Sequence, residues 1–265
     1  TIRFADELIS TDLIAFINTQ YALTKTWNLE GGLSLANTIY DIDRKIDRIN
    51  NNPQAFRKRF DTSLNPRLAL SKTINKSLSA HFSVSTGYSV PTTLEVRTNE
   101  GSLNTALQPE RGINYELNVR GGSNQFSYDL SLFRFDLQES ITTFTNPDGV
   151  ALFRNAGSLK QKGLELELLK PWILEKRGVL EKLKSRLSIT YHDFQFNNYE
   201  TGGEDLSGNV LTGTAPWIIA FSTDALLSKG FFFNFSYIYT DEIPLNDENT
   251  VYADAYQMLF AKLGW

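Results

Sequence analysis

The chain has 265 residues, enough for one large β domain, with 30 acidic against 26 basic side chains, a formal net charge of -4 and no cysteine. That balance offers no basic surface of the size nucleic acid requires, and the missing cysteines exclude a disulfide framework, a cysteine metal site and a thiol nucleophile. Aromatic content is high at 12%, yet mean hydropathy is only -0.27, and no stretch approaches the ~18 consecutive apolar residues of a membrane helix.

Helical periodicity is scarce, and period-two alternation predicts eleven strands, at 11–22, 27–40, 59–73, 78–89, 112–121, 125–140, 153–170, 183–196, 216–228, 231–241 and 253–265. In the fourth, Leu78, Ala80, Phe82 and Val84 alternate with Ser79, His81, Ser83 and Ser85, giving one apolar face and one small and polar face. Ile113, Tyr115, Leu117 and Val119 repeat the pattern, as do Leu187, Ile189 and Tyr191, and Phe231, Phe233, Phe235, Tyr237 and Tyr239 make an aromatic face. Several runs reach the ~9–11 residues that cross a bilayer at a tilt.

The connections alternate in length. Tight turns are expected at Thr24-Lys25, Asn75-Lys76, Gly121-Gly122-Ser123 and Lys229-Gly230, and long loops at 41–58, 90–111, 141–152, 197–215 and 242–252. The stretch from Pro171 to Lys182 is the exception, with room for a short helix. A soluble sandwich has no reason to gather its long loops at one end, whereas outer-membrane barrels pair short periplasmic turns with long outer loops. The outward set is then Leu78, Phe82, Val84, Leu187, Ile189, Phe233 and Phe235, with Ser79, Ser83, Ser188 and Asn234 inward. Aromatic girdles are expected from Tyr40, Tyr88, Phe144, Tyr199, Tyr239 and Tyr252 at the long-loop ends and from Trp27, Trp172 and Trp217 at the other ends.

Gly87-Tyr88-Ser89-Val90-Pro91-Thr92-Thr93-Leu94-Glu95, then Leu107-Gln108-Pro109-Glu110 and Asn114-Tyr115-Glu116-Leu117-Asn118-Val119-Arg120-Gly121, resemble the TonB-dependent receptors of the outer membrane. Ser131 to Leu137, Arg154-Asn155-Ala156-Gly157 and Lys162-Gly163-Leu164-Glu165-Leu166-Glu167 continue the resemblance in order, as do Leu211 to Pro216, Leu245 to Thr250 and Ala255 to Gly264. The resemblance covers roughly 11–265 and is strongest at 78–168. It implies an all-β, antiparallel up-and-down transmembrane barrel of about 22 strands. It further implies an N-terminal plug, residence in the outer membrane of a Gram-negative bacterium, and uptake of a ferric chelate, cobalamin or glycan powered through the TonB complex. No plug or energy-coupling box precedes residue 11, so residues 1–265 are read as one partial barrel domain of about eleven strands. Thr1 opens no signal peptide, so a leader is expected upstream. An open half-barrel alone would leave two unpaired edges that lipid does not tolerate.

Nothing in the sequence points to an enzyme. The two histidines, His81 and His192, lie on polar strand faces with no ligand-spaced Asp or Glu, so neither a metal nor a cofactor is expected. Glu165/Glu167 and Asp241/Glu242 are neighbouring carboxylates without a shared cleft. In the loop 90–111, about twenty residues without clear structure, Arg97, Asn99, Glu100, Asn104 and Arg111 are the candidate donors and acceptors for a polar ligand. Arg57-Lys58-Arg59 reads as a solvated loop edge, with attraction of an anionic ligand or lipopolysaccharide phosphate as the sharper reading. The competing class is a soluble all-β carbohydrate-binding or adhesin-like module using Tyr199 and Trp217 as sugar platforms. It requires the apolar strand faces to be buried against a second sheet.

Overall fold

The computed structural model describes residues 4–48, 55–97, 103–145, 151–155, 157–173 and 178–265. Its strands are β1 (Phe4–Ala22), β2 (Trp27–Asp47), β3 (Ala55–Arg59), β4 (Ser63–Asn75), β5 (Leu78–Ser89), β6 (Glu110–Ser123), β7 (Phe126–Gln138), β8 (Ile141–Thr145) and β9 (Ala151–Asn155). They continue as β10 (Ser158–Ile173), β11 (Leu180–Asn198), β12 (Glu200–Thr201), β13 (Glu204–Asp205), β14 (Trp217–Leu227), β15 (Phe232–Thr240), β16 (Ile243–Pro244), β17 (Tyr252–Ala253) and β18 (Tyr256–Gly264). One short helix, α1 (Thr93–Val96), stands between β5 and β6.

Eleven strands pair in the order β1-β2-β4-β5-β6-β7-β10-β11-β14-β15-β18, every pairing antiparallel, with β3 added beside β2. This is an up-and-down meander in sequence order, as alternation and connection length predict. The remaining strands form two-stranded hairpins inside the long connections, so no second sheet packs on the meander among the described residues. The sandwich reading therefore lacks its required partner layer. Among those residues no helix is long and apolar enough to cross a membrane, which leaves crossing by strands open.

Register shows how the faces divide. Side chains of directly paired residues project to the same side of a sheet. Tyr21, Leu29, Leu70, Phe82, Leu117, Leu132, Leu164, Tyr191 and Trp217 are successive partners and form one apolar row across nine strands. One residue over, Gln20, Glu30, Ala69, Ser83, Glu116, Phe133, Gly163 and His192 form a mostly polar row on the opposite face. Exposure is inverted relative to a water-soluble sheet: Phe82 is 46% and Leu132 40% exposed, while Ser83 is 4% and Ala69 1%. The apolar face meets no protein, and the polar face is the sheltered one. Leu78, Phe82, Val84, Leu187, Ile189, Phe233 and Phe235 share the apolar face, and Ser79, Ser83, Ser188 and Asn234 share the other, as expected.

Local chemistry explains the reversals. Thr24 Oγ1 accepts from the amides of Thr26 and Trp27, and Asn75 Oδ1 accepts from Ser77 N at 2.8 Å. Lys229 and Gly230 take φ of 64° and 82°, the left-handed pair this hairpin needs. Gly121-Gly122-Ser123 is not the third turn: those residues remain in β6, and the chain reverses at Asn124-Gln125. A Cβ at Gly121 would lie 2.5 Å from the Tyr128 hydroxyl, so this glycine makes room for the ring across the strand. The expected connection from Pro171 to Lys182 is also shorter, because β10 runs to Ile173 and β11 starts at Leu180. The helix expected there falls partly on 174–177, outside the described residues.

Girdle placement is corrected in three cases. Tyr40 and Tyr199 turn to the sheltered side and are 4% and 3% exposed, and Trp217 lies at the long-loop end of β14, its ring tilted against that of Tyr191 with centroids 4.6 Å apart. Their assignment followed proximity to strand ends, whereas parity within β2 sets the facing of Tyr40, the loop core takes in Tyr199, and the strand order sets the end at which Trp217 lies. Trp27 and Trp172 do lie at the tight-turn end, each with a lysine over its ring, Lys72 at 4.6 Å and Lys170 at 5.4 Å.

Candidate functional site

Since the meander keeps sequence order, all five long connections emerge at one end of the sheet. There they form a rim of linked loops. The described parts of the connection 90–109, residues 90–97 and 103–109, fold onto the sheltered face of β1 and β2. Thr92 caps α1, its hydroxyl accepting from Glu95 N while Glu95 Oε2 accepts from Thr92 N at 2.6 Å, a reciprocal capping box. That turn inserts Val96, wholly buried, against Tyr40, Ile42 and Phe60. The Tyr40 hydroxyl donates to Pro91 O at 2.8 Å, and its ring meets Phe60 edge-on at 5.2 Å. The described parts of the stretch expected to be without clear structure, 90–97 and 103–109, form a packed lobe.

An ion cluster pins the same lobe. Asp6, its side chain 4% exposed, accepts from Arg44 Nε at 2.8 Å and from Arg97 Nε at 2.5 Å, and Arg44 also approaches Asp47 at 3.7 Å. The cluster lies beyond the apolar band of β1 and β2, whose outward residues turn from Leu13 and Leu35 to Glu7, Asp41 and Asp43. Burial raises the Asp6 carboxyl, but the hydrogen bonds and charges of Arg44 and Arg97 outweigh it and hold the group below the usual carboxylate range. Lys58 donates to the carbonyls of Thr105 and Leu107, and burial pushes its ammonium down. The run Arg57-Lys58-Arg59 is thus divided by strand alternation: Lys58 turns in to the lobe while Arg57 faces Asp41 at 3.5 Å.

Each loop holds the next. Asn155 Nδ2 donates to Gln108 O at 2.9 Å while its Oδ1 accepts from Gln108 N at 2.8 Å, joining the lobe to the β8-β9 hairpin. Arg154 lies over the Tyr199 ring at 5.7 Å, linking that hairpin to the connection 199–216, where Leu159, Phe196, Tyr199 and Leu206 make a small core. Tyr199 donates to Asp247 Oδ2 at 2.9 Å, Asn209 Nδ2 donates to Asp247 O at 2.9 Å, and Asn249 exchanges bonds with both backbone groups of Val210. The rim is tied from β1 to the last connection.

The expected ligand residues have other work in this arrangement. Arg97 is occupied by Asp6. Asn104 donates to Phe153 O at 2.7 Å and accepts from Ala106 N. Arg111 belongs to β6, paired with Tyr88 and Gln138, and shares the apolar outer face with Ile113 and Tyr115. Asn99 and Glu100 lie outside the described residues. The structure brings none of the described three together. Sequence reasoning gave no site role to Asp6, Arg44, Asn155, Asp247 and Asn249, although it quoted the last three within segments of the family resemblance; their rim partners lie 38 to 91 residues away, and no local motif marks such pairs.

Further down, the sheltered face carries a polar trough of about 550 Å³ lined by Asn118, Arg120, Asp129, Glu165, Glu167 and Thr190 among others. Arg120 Nε and Asn118 Nδ2 both donate to Asp129, and Arg186 faces Glu167 at 3.5 Å. His81 and His192 are on this face, bonded to Ser71 and to Ala215 O. Among the described residues no cluster of His, Asp or Glu is arranged to hold a metal ion.

The model of the TonB dependent receptor-like β-barrel family matches residues 3–265. No curated protein sequence matches the chain. Solved structures with the same fold include the ferric yersiniabactin uptake receptor FyuA from Yersinia pestis, at 16% identity and TM-score 0.73, covering 98% of this chain and 39% of that one. The siderophore receptor PiuA from Acinetobacter baumannii, at 16% identity and TM-score 0.74, is covered to 37%, with 98% of this chain matched. The unliganded ferric citrate transporter FecA gives 12% identity and TM-score 0.76, with 98% of this chain and 38% of that one covered. The chain therefore spans less than two fifths of these solved receptors, and the match of the family model over nearly its whole length places it in the TonB-dependent receptor-like β-barrel family.

Proposed function

We propose that residues 1–265 form part of the wall and outer mouth of an outer-membrane receptor that takes up a scarce nutrient, a ferric siderophore being the leading candidate. The observation that carries this is the inverted sheet, an apolar face without protein cover backing a sheltered polar face, which suits lipid outside and a hydrated lumen inside. The named neighbours support an iron chelate by number, the three cited being an uptake receptor for ferric yersiniabactin, a siderophore receptor and a ferric citrate transporter. A copper transporter, OprC, shares the fold at TM-score 0.73, so the wall alone does not choose the cargo. On this reading the polar trough receives the plug that couples the receptor to the TonB complex, and the loop rim meets the ligand. The barrel wall is a conduit and carries no catalytic group.

The test uses the full-length protein in its native cell. Outer-membrane fractionation should recover it only with detergent, and deleting its gene should abolish growth on one ferric chelate as sole iron source while sparing others. Recovery in the aqueous fraction, or unchanged growth and uptake across ferric siderophores, ferric citrate, cobalamin and glycans, overturns the reading.

A further inference from the structure

Above the apolar rows, the outer face changes character within one residue pair. Along β7, β10 and β11 the outward positions run from Leu132, Leu164 and Tyr191 to Arg134, Lys162 and Asp193, which are direct partners in one row. The next row toward the loops holds Asp136 opposite Lys160, and Arg111 follows on the neighbouring β6. Four cations and two carboxylates thus share a patch four strands wide, about 14 Å by 14 Å at sheet spacings, with a net charge of +2 from 4 − 2.

The carboxylates do not quench it. Arg134 pairs with Asp136 at 3.0 Å and Lys162 with Asp193 at 2.8 Å, but both cations stay more than half exposed. Among the described residues Lys160 and Arg111 meet no carboxylate, and Arg111, itself exposed, lies over the Tyr88 ring at 5.5 Å. Cations at the edge of a lipid-facing band are costly in hydrocarbon and favourable against anionic headgroups. Tyr191 and Trp217, in ring contact just below, mark the boundary where amphipathic rings settle.

We propose that Arg111, Arg134, Lys160 and Lys162 form a docking patch for the phosphate groups of a phosphorylated glycolipid in the outer leaflet, whose acyl chains lie along the Leu132, Leu164 and Tyr191 rows. The proposal rests on the outer-membrane reading above, because it needs the long-loop end to be the outer one. Charge complementarity, outward register and the adjoining apolar rows select a lipid-borne phosphate over a soluble one. Asp136 and Asp193 space the cations and limit how many phosphates are held.

The experiment purifies the full-length receptor from outer membranes and measures tightly bound bis-phosphorylated lipid A per protein by mass spectrometry. The quadruple variant Arg111→Gln/Arg134→Gln/Lys160→Gln/Lys162→Gln should retain at least fivefold less. Lys72→Gln/Lys170→Gln, at the tight-turn interface, should retain as much as wild type. Delipidated wild type should rebind bis-phosphorylated lipid A from micelles, rebind the dephosphorylated form at least fivefold less, and resist displacement by inorganic phosphate. Should the quadruple variant fail to assemble, Lys160→Gln and Arg111→Gln, which break no ion pair, should each lower retention about twofold. Equal retention by the assembled variants and wild type, or equal rebinding of the two lipid forms, overturns the docking patch alone. A wild-type protein absent from the outer membrane overturns the reading beneath it.

Discussion

On the wall, nine strands contribute one row from Tyr21 to Trp217 in which every side chain is apolar and faces no other layer of the protein. At the rim, Tyr40, Phe60, Val96, Phe196 and Tyr199 are buried by loops of the same chain, and the charged Asp6 and Arg44 are buried with them. The same residue types are thus placed by opposite rules. On the proposed membrane reading the wall is stable because the medium around it is apolar and the backbone groups of the strands between β1 and β18 are paired within the sheet. On the same reading the rim stands in water and has to make its own interior from loops. What this teaches is that exposure alone does not report on stability in this fold, since the meaning of an exposed leucine depends on which side of the charged row it lies.

The comparison breaks most sharply with a charge in mid-wall. Leu132→Arg in the full-length protein should cost about 2–4 kcal/mol and prevent the heat-sensitive gel mobility of an assembled barrel, whereas a still more exposed leucine at the rim, Leu245→Arg, should leave that mobility unchanged. Next in size is crowding of the sheltered face. A Cβ at Gly163 would lie 2.4 Å from Tyr191 O and 2.7 Å from the Phe133 ring, so Gly163→Val should destabilise assembly by about 1–3 kcal/mol, read by the midpoint of urea unfolding in micelles.

At the rim the effects should be local. Asp6→Asn leaves Arg44 and Arg97 facing each other across a neutral amide and should free the lobe 90–109 to hydrogen exchange while barrel assembly is kept. Because the Asp6 carboxyl is held below its ordinary range when folded, its contribution is complete above that range and is lost as pH falls through the lowered value. The lobe should therefore stay protected at mildly acidic pH and loosen only in strong acid, and loosening near neutrality would show that the pair does not hold it. Asp247→Ala, which removes the acceptor for Tyr199, should raise exchange in 199–216 and 241–255 together; a change confined to one of them would separate loops that the structure joins. The smallest effect belongs to Thr92→Ala, about 1 kcal/mol on the short capped turn.

The eleven strands of the meander and their order were legible in the sequence because a side-chain period of two is local and repeats on every strand. The fourth strand was placed at 78–89, where it lies, while the second runs on past its expected end to Asp47, since beyond residue 40 its polar and apolar residues no longer mark a lipid face. Which strand residues point outward was legible for the same reason, from Phe82 and Ser83 to Phe235 and Asn234. Contacts at the rim were not legible. Asp6 with Arg97, Asn155 with Gln108 and Tyr199 with Asp247 join positions 91, 47 and 48 residues apart, and only the sheet that brings those loop ends together decides that they meet. Arg111 shows the boundary between the two: its charge was evident, but it becomes an outward cation of the wall only because β6 begins at Glu110 and sets its parity. Alternation alone determines a wall with two unlike faces, and pairing across distant loops, a tertiary property, decides which polar groups remain free to meet a ligand.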